Sequence, residues 1–338
     1  MRGVKDLLAP CSWLFSVGVR IRHFLYDRKI FKQKIAPLPV VSIGNVVAGG
    51  AGKTQTALLL ADLLSQDVRV AVLSRGYKSQ AEKAKEPLLV NIDRHTPKIC
   101  GDEPWLLASR LRSSLIYVNK NRYKSALEAK KQGAQILVLD DGMQHRKLHR
   151  DLEIVVVDGK FPLDNFLPQG NLREDLQRLK TASLILFIGQ PEPSLHKQVS
   201  SYTAAPHAIA KIVPMGLFQL NGEKVPTLKD VPIAIFCGIG NPKRFVNTVE
   251  ELGGHIVATH FSRDHQTLGR KALKNFALLA RSRGASFLVC TEKDKVKLSQ
   301  IELPLPIMWV RTALEIKENQ EAWAKVVQAV KVLVSQQL

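Results

Sequence analysis

The 338 residues carry 49 Lys and Arg against 30 Asp and Glu, a net charge of +19, and 45% are apolar. That apolar share supports packed cores and excludes a disordered chain. The four cysteines (Cys11, Cys100, Cys237, Cys290) are scattered without CxxC spacing, which argues against a zinc site or disulfide framework and fits a reducing compartment. The basic excess favours a polyanionic partner: nucleic acid, an anionic membrane surface or a phosphorylated substrate. Aromatics are only 6% and no nucleic-acid motif is found, so charge alone does not choose among the three.

Residues 1–36 open the chain. Leu14, Val17, Ile21, Phe24 and Leu25 form one helical stripe, flanked by Arg20 and Arg22, with His23 opposite and Arg28, Lys29, Lys32 and Lys34 following. Two readings fit: a helix lying in a membrane interface, or one packed on the domain with a solvated basic rim. The apolar run is too short, and too interrupted by Pro10, to span a bilayer, and no small-residue cleavage site follows it.

An apolar β-type run, Leu38–Ile43, then leads into a glycine-rich loop ending Gly52-Lys53-Thr54 and a helix with Ala57, Leu58, Ala61 and Leu64 on one face. Strand, glycine loop, Lys-Thr and helix is the order of a phosphate-binding loop. The candidate nucleotide-binding residues are Val47, Ala48, Gly49, Gly50, Ala51, Gly52, Lys53 and Thr54, whose backbone N–H groups would close on phosphate oxygens at a helix N-terminus. Lys53 would reach the β- and γ-phosphates, and Thr54 would hold Mg²⁺. The first consensus glycine falls on Val47, while Gly49 and Gly50 sit inside the loop.

Further strands are predicted at 68–73, 88–92, 115–118, 136–139, 152–157 and 184–188. Gly101-Asp102-Glu103-Pro104 opens a helix; its carboxylates either complement the helix dipole or form an acid/base or metal pair. The run 136–139 ends in Asp140-Asp141-Gly142-Met143-Gln144-His145, the pattern of a second nucleotide-site strand whose carboxylate holds Mg²⁺ directly or through water. Residues 190–209, with three prolines, read as a connector. Two short strands around Asn221-Gly222 read as a hairpin, and the hinge is placed there. The remainder alternates strands (233–237, 256–258, 286–290, 307–310) with helices and carries Asp264-His265 and Thr291-Glu292-Lys293-Asp294.

Taken together, Gly44-Asn45 with Gly49–Thr54, Ser74-Arg75-Gly76-Tyr77, the 101–104 and 140–145 clusters, Asn171-Leu172-Arg173-Glu174, Asp264-His265 and 291–294 resemble the tetraacyldisaccharide 4′-kinase family in order and over nearly the whole chain. Gln55, Asp175 and Arg263 stand where the family usually has proline, and Met143 where it has phenylalanine. The resemblance implies an α/β fold: a P-loop NTPase-type, mostly parallel sheet flanked by helices (37–209), a two-stranded hinge (210–228), a smaller α/β domain (229–338) and the N-terminal amphipathic helix (1–36). It implies ATP and Mg²⁺ as cofactors and phosphorylation of the 4′-hydroxyl of a membrane-embedded acylated glucosamine disaccharide. Lys53 and the loop would hold ATP. Thr54, Asp140 or Asp141, and Glu174 would hold Mg²⁺. Asp102 would take the hydroxyl proton, assisted by His265 from the second domain. Arg75, Glu103, Arg122, Gln144, His145 and Arg173 would meet substrate or phosphate. The implied location is peripheral, on the cytoplasmic face of the inner membrane, with no nucleic acid and no obligate protein partner. A P-loop kinase of a soluble molecule and a basic ATP-driven nucleic-acid protein are the rival readings.

Overall fold

A computed structural model describes residues 7–160, 162–262, 266, 268–298 and 302–337. Arg263, Asp264 and His265 therefore lie outside the described residues. By contacts the chain forms two units, Met1–Lys211 with Glu315–Leu338, and Ile212–Leu314. Sequence places everything after residue 229 in the second domain. The C-terminal helix, Gln320–Ser335, instead packs in the first unit, where Lys331 Nζ lies 2.5 Å from Asp67 Oδ2.

The first unit begins with helix α1 (Ala9–Asp27), strand β1 (Val40–Gly44), helix α2 (Lys53–Leu64) and strand β2 (Val70–Ser74). Strand β3 (Leu88–Leu89), the one-turn helix α3 (Pro97–Cys100), helix α4 (Asp102–Arg110), strand β4 (Leu115–Val118), helix α5 (Arg122–Lys131) and strand β5 (Ile136–Asp140) follow. Strands β6 (Leu152–Asp158) and β7 (Leu184–Ile188), helix α6 (Pro193–Ser200) and the first residues of β8 (His207–Gln219) come next, and the segment Glu315–Leu338 with the C-terminal helix completes it. The strand order is β3-β4-β2-β5-β1-β6-β7-β8. Every pairing is parallel except β3 with β4. All residues of β1, β2, β5 and β7 are buried, as apolar runs covered on both faces must be.

β1 lies between β5 and β6, with Ile43 opposite Asp140 and Gly44 opposite Val155. The chain leaves β1 toward one side and later returns to the other. At such a switch point an α/β sheet opens a crevice at the carboxyl ends of its strands. The connector expected at 190–209 contains α6. Its first residue is Pro193, where a missing N–H is harmless, and Leu195 and Val199 anchor it in the core.

In the second unit, β9 (Lys224–Val225) pairs antiparallel with β8, Leu217 opposite Val225, around the expected Asn-Gly turn. Strand β10 (Pro232–Cys237), helix α7 (Pro242–Glu251), strand β11 (His255–Phe261), helix α8 (Arg270–Ser282), strand β12 (Phe287–Thr291), helix α9 (Glu292–Lys295) and strand β13 (Ile307–Glu318) follow. The order β11-β10-β12-β13 is parallel throughout.

Helix α1 is built inside out. The side it buries is Ser12, Ser16, Val19, His23 and Tyr26, a helical stripe that is mostly polar. Trp13, Leu14 and Phe24 are instead 64%, 62% and 54% exposed. The inward groups are matched rather than left bare: Ser12 Oγ donates to the Phe166 carbonyl at 2.7 Å. Among the described residues no helix is long and apolar enough to cross a membrane.

Candidate active site

Residues 45–52 carry the chain from the end of β1 into α2. Their first part is held like a strand: Val47 bridges Leu172 antiparallel, Ala48 N donates to Asn171 O at 2.8 Å, and Arg173 N and Glu174 N both donate to Val46 O. Further along, Ala51 is buried and its N–H turns back into the loop, donating to Gly49 O at 3.0 Å. The amides of Ala48 and Ala51, expected to face phosphate, are thus bonded within the chain here. Holding phosphate with Ala51 N–H requires it to give up the Gly49 carbonyl, a local change in a glycine-rich turn, whereas Ala48 N–H belongs to the strand-like part. Gly44 permits the next contact. A Cβ there would stand 2.4 Å from Met143 Cβ, so only glycine lets the 141–143 turn close on β1. Met143 is fully buried with Val46, Val47 and Val155. The position where the resemblance expects phenylalanine is therefore a core position.

This packing sets Asp140 and Asp141 beside the loop. Lys53 Nζ lies 3.6 Å from Asp141 Oδ1 and donates to Gly49 O at 3.2 Å. Arg173 forks onto both Asp141 oxygens and also reaches Asn45 Oδ1. Burial pushes the Asp141 carboxyl up, but Lys53, Arg173 and Arg122 together outweigh it and hold the group well below the usual carboxylate range. Asp140 goes the other way. It is only 2% exposed, and burial, with Glu103 and Asp141 adding repulsion, pushes it up to about 7. Two neighbours in sequence thus have opposite electrostatic fates, set by which of them the cations reach.

Helix α4 brings Asp102 and Glu103 to its first turn. Gly101 before them has φ 101°, and a Cβ on it would lie 3.1 Å from Gly76 Cα; the two loops meet backbone to backbone there. Glu103 is close enough to act on Asp140. Arg122, buried at the start of α5, is brought down to about 10 by burial against the attraction of Asp141 and Asp140, so it stays cationic at neutral pH. Arg75 also acts on Arg122, and its Nε donates to Glu82 at 2.5 Å. Gln144 Nε2 donates to Asn45 O at 3.0 Å. Burial and the charge of Arg122 bring His145 down to about 3, so it is neutral. Glu174, fully buried, turns to α1: Oε2 is 2.5 Å from His23 Nε2 and Oε1 is 3.5 Å from Arg22 Nη1.

The structure therefore gathers Lys53, Glu103, Arg122, Asp140, Asp141 and Arg173 around the loop, with Arg75 acting on the same cluster. Sequence reasoning noted Asn45 beside Gly44 but gave it no role at the site, although its place directly after β1 was a signal. It missed Glu82, His23 and Arg146, for which spacing gives none.

The family model for tetraacyldisaccharide-1-P 4′-kinase, LpxK, matches residues 4–331. The chain belongs to this family. The tetraacyldisaccharide 4′-kinase of Chlamydia pneumoniae is 39% identical over 291 residues, covering 83% of this chain and 79% of that protein. That of Bdellovibrio bacteriovorus is 33% identical, covering 94% of this chain and 96% of its own. The crystal structure of LpxK from Aquifex aeolicus in complex with ATP is 30% identical, with a TM-score of 0.75 over 97% of this chain and 99% of that one. The expected mostly parallel α/β kinase fold is thus the fold of the LpxK family, and the loop at 45–52 belongs to a family with an ATP-bound member.

Proposed function

We propose that this kinase transfers the γ-phosphoryl group of ATP to the 4′-hydroxyl of a tetraacylated glucosamine disaccharide 1-phosphate, a step of lipid A biosynthesis. One observation carries the transfer reading: at the mouth of β1, beside Lys53, Asp140 Oδ1 and Asn45 Nδ2 are buried without a hydrogen-bond partner among the described residues. Buried polar atoms are normally paired, and these two fit a phosphate-bound cation and a phosphate oxygen. Thr54 and the Asp140–Asp141 pair would hold Mg²⁺. Once bound, Mg²⁺ neutralises charge on the phosphates during transfer. Lys53 and the loop amides orient the phosphates. Asp102, at the start of α4, takes the proton from the attacking hydroxyl, with His265 as its partner. Phosphoryl transfer needs positioning and charge neutralisation more than covalent chemistry, which this cationic and acidic cluster supplies.

The outward face of α1 supports a lipid acceptor. Trp13, Leu14, Ile21 and Phe24 are exposed together, with Arg28, Lys29, Lys32 and Lys34 exposed just beyond. An apolar face edged by cations seats at the boundary of an anionic bilayer, here the cytoplasmic face of the inner membrane. The test is transfer from labelled ATP to an acylated disaccharide 1-phosphate in detergent micelles, against a soluble acceptor. Preference for the lipid is expected, and D102A should slow transfer roughly 10²-fold. Equal use of a soluble acceptor would overturn the substrate assignment, and near-normal turnover by D102A the role of the base.

A further inference from the structure

The polar, inward face of α1 reaches the phosphate loop through a chain of buried contacts. Arg146 is buried, and its Nη1 donates to His23 Nδ1 at 2.9 Å while its Nη2 donates to Asp27 Oδ1 at 2.7 Å. The guanidinium also lies over the Tyr26 ring, 4.8 Å from its centroid. Arginine has no acceptor to offer. His23 Nδ1 must therefore accept, and the ring carries its proton on Nε2. That proton points at Glu174 Oε2, 2.5 Å away.

Glu174 is in turn one residue from Arg173, and both backbone N–H groups hold Val46 O, at 3.1 and 2.9 Å. A second strut runs beside the first. Arg22 Nη2 donates to the Gln144 carbonyl, and the Gln144 side chain donates to Asn45 O. Both struts end on residues 45 and 46, where β1 becomes the loop. The ion pair of Arg20 with Asp175 is mostly exposed and adds little.

We propose that His23 is a positioning residue for phosphoryl transfer: by orienting Glu174 it fixes the entry of the phosphate loop, so that seating of α1 and binding of ATP are coupled. Resting on the ATP-dependent transfer reading above, this explains why a helix with an apolar outer face keeps a polar inner one. A polar stripe makes contacts in one register only, whereas an apolar stripe tolerates sliding. The coupling is reciprocal, as any linkage of two binding events must be: whatever displaces α1 weakens ATP binding, and ATP steadies α1.

The test uses the full chain, with ATP·Mg²⁺ binding followed by titration calorimetry and initial rates measured while ATP and lipid are varied separately. H23F removes both ring nitrogens. It is expected to weaken ATP binding and raise the KM for ATP roughly tenfold, as loss of a supporting contact behind a ligand site does, with a smaller change in kcat. H23Q offers one donor and one acceptor again and should restore most of the loss. An H23F protein that melts like the parent and binds ATP like the parent overturns the proposal. If H23F does not fold, H23A and H23A/E174Q decide: the double variant should bind ATP no worse than E174Q alone, and additive losses overturn the coupling. E174Q shifting the Mg²⁺ dependence while both His23 variants leave ATP binding untouched also overturns it, because Glu174 would then act independently of α1. ATP binding requires no acceptor. Failure of the lipid assignment would appear separately, as a parent protein that binds ATP but leaves the disaccharide unphosphorylated.

Discussion

In each unit a buried aspartate lies at or just past the carboxyl end of a parallel strand, and the two serve different ends. In the first unit Asp140 closes β5 among Lys53, Glu103 and Arg122, and its Oδ1 has no hydrogen-bond partner among the described residues. In the second unit Asp294 follows β12, and its carboxylate accepts from Gly238 N at 3.1 and 3.2 Å and from Thr291 Oγ1 at 2.6 Å. Burial raises both groups. Asp294 uses its oxygens to tie the end of β10 to the turn after β12, which is structural work. Asp140 keeps an acceptor that no described residue fills, the feature on which its proposed metal role rests. An acid at the carboxyl end of a parallel strand marks a crevice, but whether its hydrogen bonds are already satisfied tells a chemical site from a structural clasp.

The largest expected effect separates the two directly. D140N should slow transfer roughly 10²-fold or more, the cost of removing one preorganised electrostatic group, while the protein folds normally because an amide needs no counter-charge. Initial rates at saturating ATP and Mg²⁺ check this. A D140N enzyme with near-parental kcat would reduce Asp140 to another clasp. D294A should act on stability instead. It leaves the buried Gly238 N–H without its acceptor, at a cost of about 1–3 kcal/mol, read as a lower midpoint in urea or thermal unfolding. An unchanged midpoint would break the structural half of the comparison.

Much of this is legible without coordinates. Continuous apolar runs such as 136–139 and 184–188 announce buried parallel strands because both faces of the sheet are covered. Lys53 can be picked out because it stands at a strand-to-helix junction, and Asp140 and Asp141 because they stand where a buried apolar strand runs into a turn, both local features. Which loop amides are free to meet phosphate is not local: Ala48 N–H is taken by Asn171, more than a hundred residues on, and Ala51 N–H by a carbonyl of its own turn. The 190–209 stretch misleads because proline signals both a break and a helix start, and only the packing of Leu195 and Val199 decides between them. Arg146, His23 and Glu174 cannot be linked from sequence at all. His23 lies 123 residues from Arg146 and 151 from Glu174, and nothing in their spacing shows that a helix turns its polar side inward to join them. The opposite charge behaviour of Asp140 and Asp141 is equally hidden, since it depends on where Arg173 and Lys53 point.

The smallest effect probes the unpartnered carboxylate most finely, through pH. Asp140 sits near 3.8 when unfolded and about 7 when folded. Between those values the folded state holds more of this proton than the unfolded state does, so the group's contribution to stability falls as pH rises from about 4 through 7 and levels off near about 8. His145 works in the opposite sense. Brought down from 6.5 to about 3, it costs stability on the acid side and nothing above about 6.5. Asp141, held below the usual range, loses its contribution only on strong acidification. Total stability mixes these trends, but the difference between the parent and D140N isolates one of them. In the absence of nucleotide, D140N should melt increasingly above the parent as pH goes from about 5 to about 8. Saturating ATP and Mg²⁺ should shrink that gap at the alkaline end, because a cation on Asp140 removes the penalty that asparagine avoids. A melting difference that stays constant across that range would show that Asp140 already has its partner within the fold, as Asp294 does.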